Sequence, residues 1–155
     1  MIRRVTMDDL PECLDIAVAC YRQRFDQRKA WEWSMHALAR PEFCGVRDDD
    51  AFAVGTVKEI FWEPGDVRHG YMVFLALRTP WAAQQGVRCL QTLRDWATVL
   101  MGAVDFVISE DTGADFSAFA KRIGAVQNRP TYTYRTEAAD LLDKRLGKVY
   151  RQSMS

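Results

Sequence analysis

A surplus of charge of either sign is what this 155-residue sequence most plainly lacks: Lys plus Arg number 21, Asp plus Glu number 21, and the formal net charge is zero. A chain so balanced carries no overall electrostatic footprint for nucleic acid. Histidine is nearly absent, with only His36 and His69, and the four cysteines (Cys13, Cys20, Cys44 and Cys89) show no CxxC spacing. No zinc site is expected from such a set, and free, buried thiols in a reducing compartment fit it best. Long apolar runs are missing too. The longest, YMVFLAL at 71 to 77, is far too short to span a bilayer, and the two arginines of MIRRVTMDDLPE have no apolar segment behind them. The expectation is a cytoplasmic chain with no metal, nucleic acid or membrane among its partners.

Apolar residues make up 48% of the composition and charged residues 27%, which is ordinary for a globular domain. IRRVT at 2 to 6 reads as a strand. Leu10, Cys13, Leu14, Ala17, Val18 and Tyr21 then recur at helical spacing, with Asp8 or Asp9 as N-cap and Pro11 tolerated in the first turn. A polar helix over about 23 to 38 carries Trp31 and Trp33 and ends at Arg40-Pro41. Three runs, 43 to 47, 51 to 62 and 68 to 77, are separated by DDD and EPGD and form an antiparallel meander, the third being apolar enough for a strand buried on both faces. Val87, Leu90, Leu93, Ala97 and Leu100 mark a helix that ends at Gly102. AVDFVIS (103 to 109) is a buried strand, 115 to 123 a short helix closed by Gly124, TYTYRT (131 to 136) a strand, and 137 to 151 an amphipathic helix. A helix joins the fourth and fifth strands, so these run parallel.

This order, β-α-α-β-β-β-α-β-α-β with an added C-terminal helix, resembles that of the GNAT (N-acetyltransferase) superfamily, an α/β fold on a mixed sheet. The likeness rests on IRRVTMDDLP, on the meander leading into MVFLALRTP, on AAQQGVRCLQTLRDWA, and on VISEDTGADFSAFAKRIGAV. It spans residues 1 to 135, leaving 136 to 155 as a helical extension packed on or beside the domain. The resemblance implies that the fourth strand splays from the fifth and that the pantetheine arm of acetyl-CoA lies in the gap, along Leu75 and Leu77. It implies too that the pyrophosphate rests on the turn before the long helix. A helix N-terminus carries about half a positive charge and unpaired N–H groups, which suits that role. The family pattern there (Gln or Arg, two residues, Gly, one residue, Gly or Ala) falls on Ala83, Gln84, Gln85, Gly86, Val87 and Arg88. Gly86 matches, Ala83 replaces the polar first position, and Arg88 replaces a small residue. Arg88 offers either a charge-assisted contact to phosphate or an obstruction.

The tyrosine that serves as general acid in many members corresponds to Ala120, and the fourth strand holds no carboxylate. Glu110 and Asp111, at the end of the fifth strand, are either solvated turn residues or ligands for an amine. Tyr132 and Tyr134 share one side of the last strand, and either hydroxyl can protonate a thiolate. Glu59, Glu63 and His69 are further candidates for a base, and Trp31 and Trp33 for an acceptor wall. Two functions follow from the resemblance. One is transfer of acetyl from acetyl-CoA to an amine of a protein or small molecule. The other is a catalytically degenerate binding or structural protein, since small phage-encoded GNAT-like proteins, some virion-associated or directed at host proteins, have a similar IGAV ending. A homo-oligomer or larger assembly accommodates either, in the host cytoplasm or the virion.

Overall fold

Apolar side chains on both faces of its central strands require this sheet to be covered twice. In the computed structural model, which describes residues 1–109, 116–127 and 134–146, that is what the helices do. The strands are β1 (Arg3–Arg4), β2 (Phe43–Asp48), β3 (Ala51–Lys58), β4 (His69–Leu77) and β5 (Phe106–Val107), in the order β1-β2-β3-β4-β5. Each of the first four runs antiparallel to its neighbour, and β5 is parallel to β4. The helices are α1 (Leu10–Tyr21), α2 (Gln27–Ala37), α3 (Ala83–Asp95), α4 (Ser117–Arg122) and α5 (Glu137–Leu146). The order is therefore the mixed α/β one expected from the sequence, through α4. Of the strand expected at 131 to 136, residues 131 to 133 lie outside the described set, and 134 to 136 are not in a strand.

Period two assigns the faces. Phe52, Val54 and Ala76 pack with α1 and, at its rim, Trp31 of α2. Their neighbours Ala51, Ala53, Leu75 and Leu77 pack on the other face with Val87, Leu90 and Leu93 of α3 and Phe119 of α4. All four cysteines are free and buried, and burial pushes the Cys13 and Cys89 thiols up to about 12. Among the described residues no helix is long and apolar enough to cross a membrane.

Several boundaries differ from the sequence expectation. β1 keeps only two of five residues. β3 stops at Lys58, so Phe61 and Trp62 sit in the β3–β4 loop, edge to face at 4.8 Å, and Phe61 is 94% exposed. A 3₁₀ turn, Arg22–Arg24, delays α2 until Asp26, whose side chain accepts from the Lys29 N–H. α3 closes in a π turn over Trp96–Leu100, with Met101 N–H donating to Trp96 O at 3.0 Å. The wider turn rotates Leu100 off the apolar stripe and leaves it 76% exposed. α5 buries no side chain; Asp143 ties it to Arg24 at 2.8 Å.

The start of the domain is held by a buried carboxylate. Asp9 caps its own turn, accepting from Thr6 N–H at 2.8 Å and Thr6 Oγ1 at 3.0 Å. It also receives both terminal nitrogens of Arg3 and lies 3.5 Å from Arg47 Nη1, which in turn reaches Glu12 at 2.6 Å. Asp9 is 7% and Arg47 6% exposed. The Arg3 bonds, outweighing burial, hold the Asp9 carboxyl far below the usual carboxylate range. Asp9→Asn should cost about 2 to 4 kcal/mol in urea unfolding at pH 7, less than an isolated buried ion would, because Arg47 keeps Glu12. A depressed carboxylate stabilises above its unfolded value and loses that stabilisation as pH falls through the folded one. The gap between the two proteins should therefore be constant above pH of about 5 and narrow below about 4.

Candidate functional site

The apolar run 71 to 77 becomes a strand that changes its company halfway along. At its start β4 pairs with β5 through Gly70 with Phe106 and Tyr71 with Val107. Gly70 N–H donates to Asp105 O at 3.0 Å, and the approach is close enough that a Cβ on Gly70 would lie 2.8 Å from Ala97 Cβ. Beyond Tyr71 the pairing stops. On its other edge β4 shifts register against β3: Val54 faces Phe74 whereas Gly55 faces Met72, which leaves Val73 as a bulge. The two parallel strands thus part, and a cleft of about 70 Å³ opens between Met72–Leu75 on one side and Ser109 and Phe116 on the other, with Tyr21 of α1 at its wall.

Tyr21 is a residue that sequence reasoning treated only as helix packing. Its hydroxyl donates to Leu75 O at 2.6 Å, and its ring packs on Phe74 with centroids 5.0 Å apart. Burial pushes the phenol well above its ordinary value, so it stays a neutral donor. The available sequence signal was a hydroxyl on the core face of an apolar helix, where a buried tyrosine usually seeks a partner. Ser109, at the end of the AVDFVIS run, is the other hydroxyl in the cleft among the described residues, and nothing in the apolar pattern of that run marks it.

At the far end of β4 the chain enters a 3₁₀ turn, Pro80–Ala82, and then α3. Neither cap residue, Thr79 or Ala82, caps the helix with a side-chain hydrogen bond, so the turn presents backbone N–H groups without a side-chain acceptor. Ala83 is half-buried and small, and Gln84 is exposed. Gln85 bridges instead to the β2–β3 hairpin, its Oε1 accepting from Asp50 N–H at 2.7 Å. Val87 is in the core. Arg88 turns away to Asp48, Nε to Oδ2 at 2.6 Å, and Asp48 is 1% exposed. Burial alone would raise the Asp48 carboxyl, but the Arg88 bond and the Met1 ammonium 3.1 Å away hold it below its ordinary value. Gly86 sits under the sheet: an added Cβ would meet Leu77 Cδ2 at 2.7 Å and Phe119 Cε1 at 2.9 Å. Its smallness serves helix–sheet packing. Leu75 lines the cleft, while Leu77 packs beneath α3.

The candidate acids and bases are dispersed. Glu110, Asp111 and Tyr132 lie outside the described residues. Tyr134 is 91% exposed and Ala120 lies within α4. Glu63 and His69 meet each other rather than the cleft: His69 Nε2 is 2.9 Å from Glu63 and Nδ1 3.0 Å from Asp105. Glu59 is nearest Arg68, at 3.9 Å. Trp33 stacks edge-on against Phe43, and Trp31 lines a groove between α1 and α2.

Two predictions follow from this geometry. Gly86→Ala should lower stability by about 1 to 3 kcal/mol in chemical unfolding, because Leu77 and Phe119 must shift. Asp105 first, then Glu63, raises the His69 imidazolium above its ordinary value, so its stabilisation is complete below about pH 6.5 and is lost as pH rises through the higher folded value. The stability advantage of the wild type over His69→Gln should accordingly shrink as urea unfolding is repeated at rising pH.

No family model matches the sequence, and neither does any curated protein. Solved structures do. An aminoglycoside 6'-N-acetyltransferase, AAC(6')-Ig from Acinetobacter haemolyticus, superposes with a TM-score of 0.66 at 11% identity over 88% of this chain and 98% of that one. AAC(6')-Iy in complex with the bisubstrate analogue CoA-S-monomethyl-acetylneamine gives 0.66 at 13% identity over 88% and 97%. A GNAT family acetyltransferase from Staphylococcus aureus gives 0.61 at 8% identity over 88% and 98%. At these identities the likeness is one of fold, and the chain has the GNAT acetyltransferase fold.

Proposed function

We propose, from that fold, that the chain binds acetyl-CoA between β4 and β5 and transfers the acetyl group to an amine of a small molecule or protein. The observation that carries the reading is the parting of the two parallel strands after Tyr71 and Val107, with a helix turn lacking side-chain caps directly downstream of β4. The bound CoA portion of the AAC(6')-Iy analogue supports the choice of cofactor. In this reading the pantetheine lies along Met72–Leu75, and the pyrophosphate takes its hydrogen bonds from the backbone N–H groups of the turn at Ala83 and Gln84. Arg88 and Gln85 are engaged elsewhere. The amine nitrogen attacks the thioester carbonyl carbon, the C–S bond breaks, and the sulfur takes up the proton that the nitrogen loses. Alignment is then the main contribution of the protein.

A second reading, a GNAT-fold binding or structural protein without turnover, is favoured by one specific feature. Among the described residues the cleft is lined by no carboxylate and no imidazole, only by the hydroxyls of Tyr21 and Ser109, and Tyr21 already donates to Leu75 O.

Titration calorimetry with acetyl-CoA tests the first step. Saturable binding is expected, and Ala83→Glu should weaken it at least tenfold: a carboxylate in the first turn repels pyrophosphate while favouring the helix dipole, so the fold is retained. Absence of binding by the wild type would overturn both the cofactor and the transferase. Binding with no thiol release across a panel of primary amines would favour the second reading.

A further inference from the structure

The open edge of β4 is already in use. Arg78 N–H donates to Asp50 O at 2.8 Å and Val57 N–H to Glu42 O at 2.9 Å. Hydrogen-bonded and non-hydrogen-bonded pairs alternate along an antiparallel ladder, so both bonds turn the N–H and C=O of Leu75, which stands opposite Ala53, away from β3. They face the side that β5 has left. Leu75 N–H has no partner there among the described residues, whereas Leu75 O accepts the Tyr21 hydroxyl at 2.6 Å. A strand edge that offers one N–H and one C=O matches an amide, and here a phenol fills the acceptor half of that match.

The cleft is correspondingly small. Its volume of about 70 Å³ lies well under the roughly 300 to 1,000 Å³ of small-molecule sites, with Tyr21 as part of its wall. Tyr21 is also the last residue of α1, and Arg22 behind it has φ 52°, a left-handed backbone that a residue other than glycine adopts only where its surroundings impose it. The side chain that closes the cleft thus hangs from a strained corner.

We propose that Tyr21 is a built-in competitor of the cofactor: its hydroxyl holds Leu75 O until an amide N–H of the pantetheine arm takes its place, and its ring then withdraws from the cleft. The inference rests on the acetyl-CoA reading above and adds to it the residue that sets affinity at the arm. Exchanging one hydrogen bond for another yields little net free energy, so the wild type binds more weakly than a chain whose Leu75 O is left bare.

Tyr21→Phe keeps the ring and removes the hydroxyl. In titration calorimetry of the full chain, acetyl-CoA should bind Tyr21→Phe about threefold to tenfold more tightly than the wild type, while adenosine 3′,5′-bisphosphate, which has no arm, should show no such difference. The free variant should melt below the wild type, since a buried carbonyl loses its partner, and should gain more in melting temperature on saturation. In wild-type chain isotope-labelled at the tyrosine Cζ, the Tyr21 NMR signal should move on saturation with acetyl-CoA. Equal or weaker binding of acetyl-CoA by Tyr21→Phe, an equal gain with the arm-free nucleotide, or an unmoved Tyr21 signal in the saturated wild type would each overturn the proposal and leave the cofactor assignment standing. Binding of acetyl-CoA by neither chain would overturn both.

Discussion

The bond from Gly70 N–H to Asp105 O fixes how β5 lies beside β4, and the geometry of the cleft depends on it. The approach there is tight, since a Cβ on Gly70 would come within 3.0 Å of that same carbonyl. His69 and Asp105 brace the same end from the side chains. Two strands clamped at one end and kept apart at the other form a wedge. The bulge at Val73 and the Phe116 and Tyr21 rings occupy the open end, and Tyr21 provides a partner for Leu75 O at a level that β5 no longer accompanies. A buried carbonyl without a partner would be costly, so the tyrosine is part of what lets the strands part.

How much of this the sequence discloses depends on how local the cause is. Period two in β2, β3 and β4 and period 3.6 in α1 and α3 are visible residue by residue, and the layers follow from them. AVDFVIS looks like a seven-residue strand, yet only Phe106 and Val107 pair, with Gly70 and Tyr71 more than thirty residues earlier in β4, a partnership that no local pattern in the run discloses. Phe61 and Trp62 look like strand residues for a related reason: β-propensity measures fit to a half-buried surface, and no such surface faces them. The role of Arg88 was undecidable from its own neighbourhood. Asp48, forty residues away and almost wholly buried, decides it.

That pairing belongs to a wider electrostatic arrangement. The hairpin Asp48–Asp49–Asp50 lies against the start of α3, where Asp48 holds Arg88, Asp50 holds Arg78 at 3.0 Å, and the Asp50 N–H reaches Gln85. The hairpin thus neutralises Arg88, the arginine that the sequence offers to phosphate, together with Arg78, much as the whole chain balances its charges. What remains at the turn is the positive end of the helix dipole and its N–H groups. Affinity for an anionic cofactor would therefore rest on hydrogen-bond geometry more than on net charge, and would be only weakly sensitive to salt.

The absence of a carboxylate or imidazole from the described lining of the cleft bears on chemistry through a proton count. An amine that arrives neutral loses one proton on forming the amide, and the departing thiolate gains one, so acetyl transfer needs no net proton from the protein. A catalytic base matters for an acceptor that arrives as an ammonium ion. A cleft lined by Met72, Phe74, Leu75 and Phe116 disfavours charge by desolvation and so favours the neutral amine on entry. Among the described residues no side chain of the cleft lining carries such a base, so an acceptor that enters neutral is the one this lining favours.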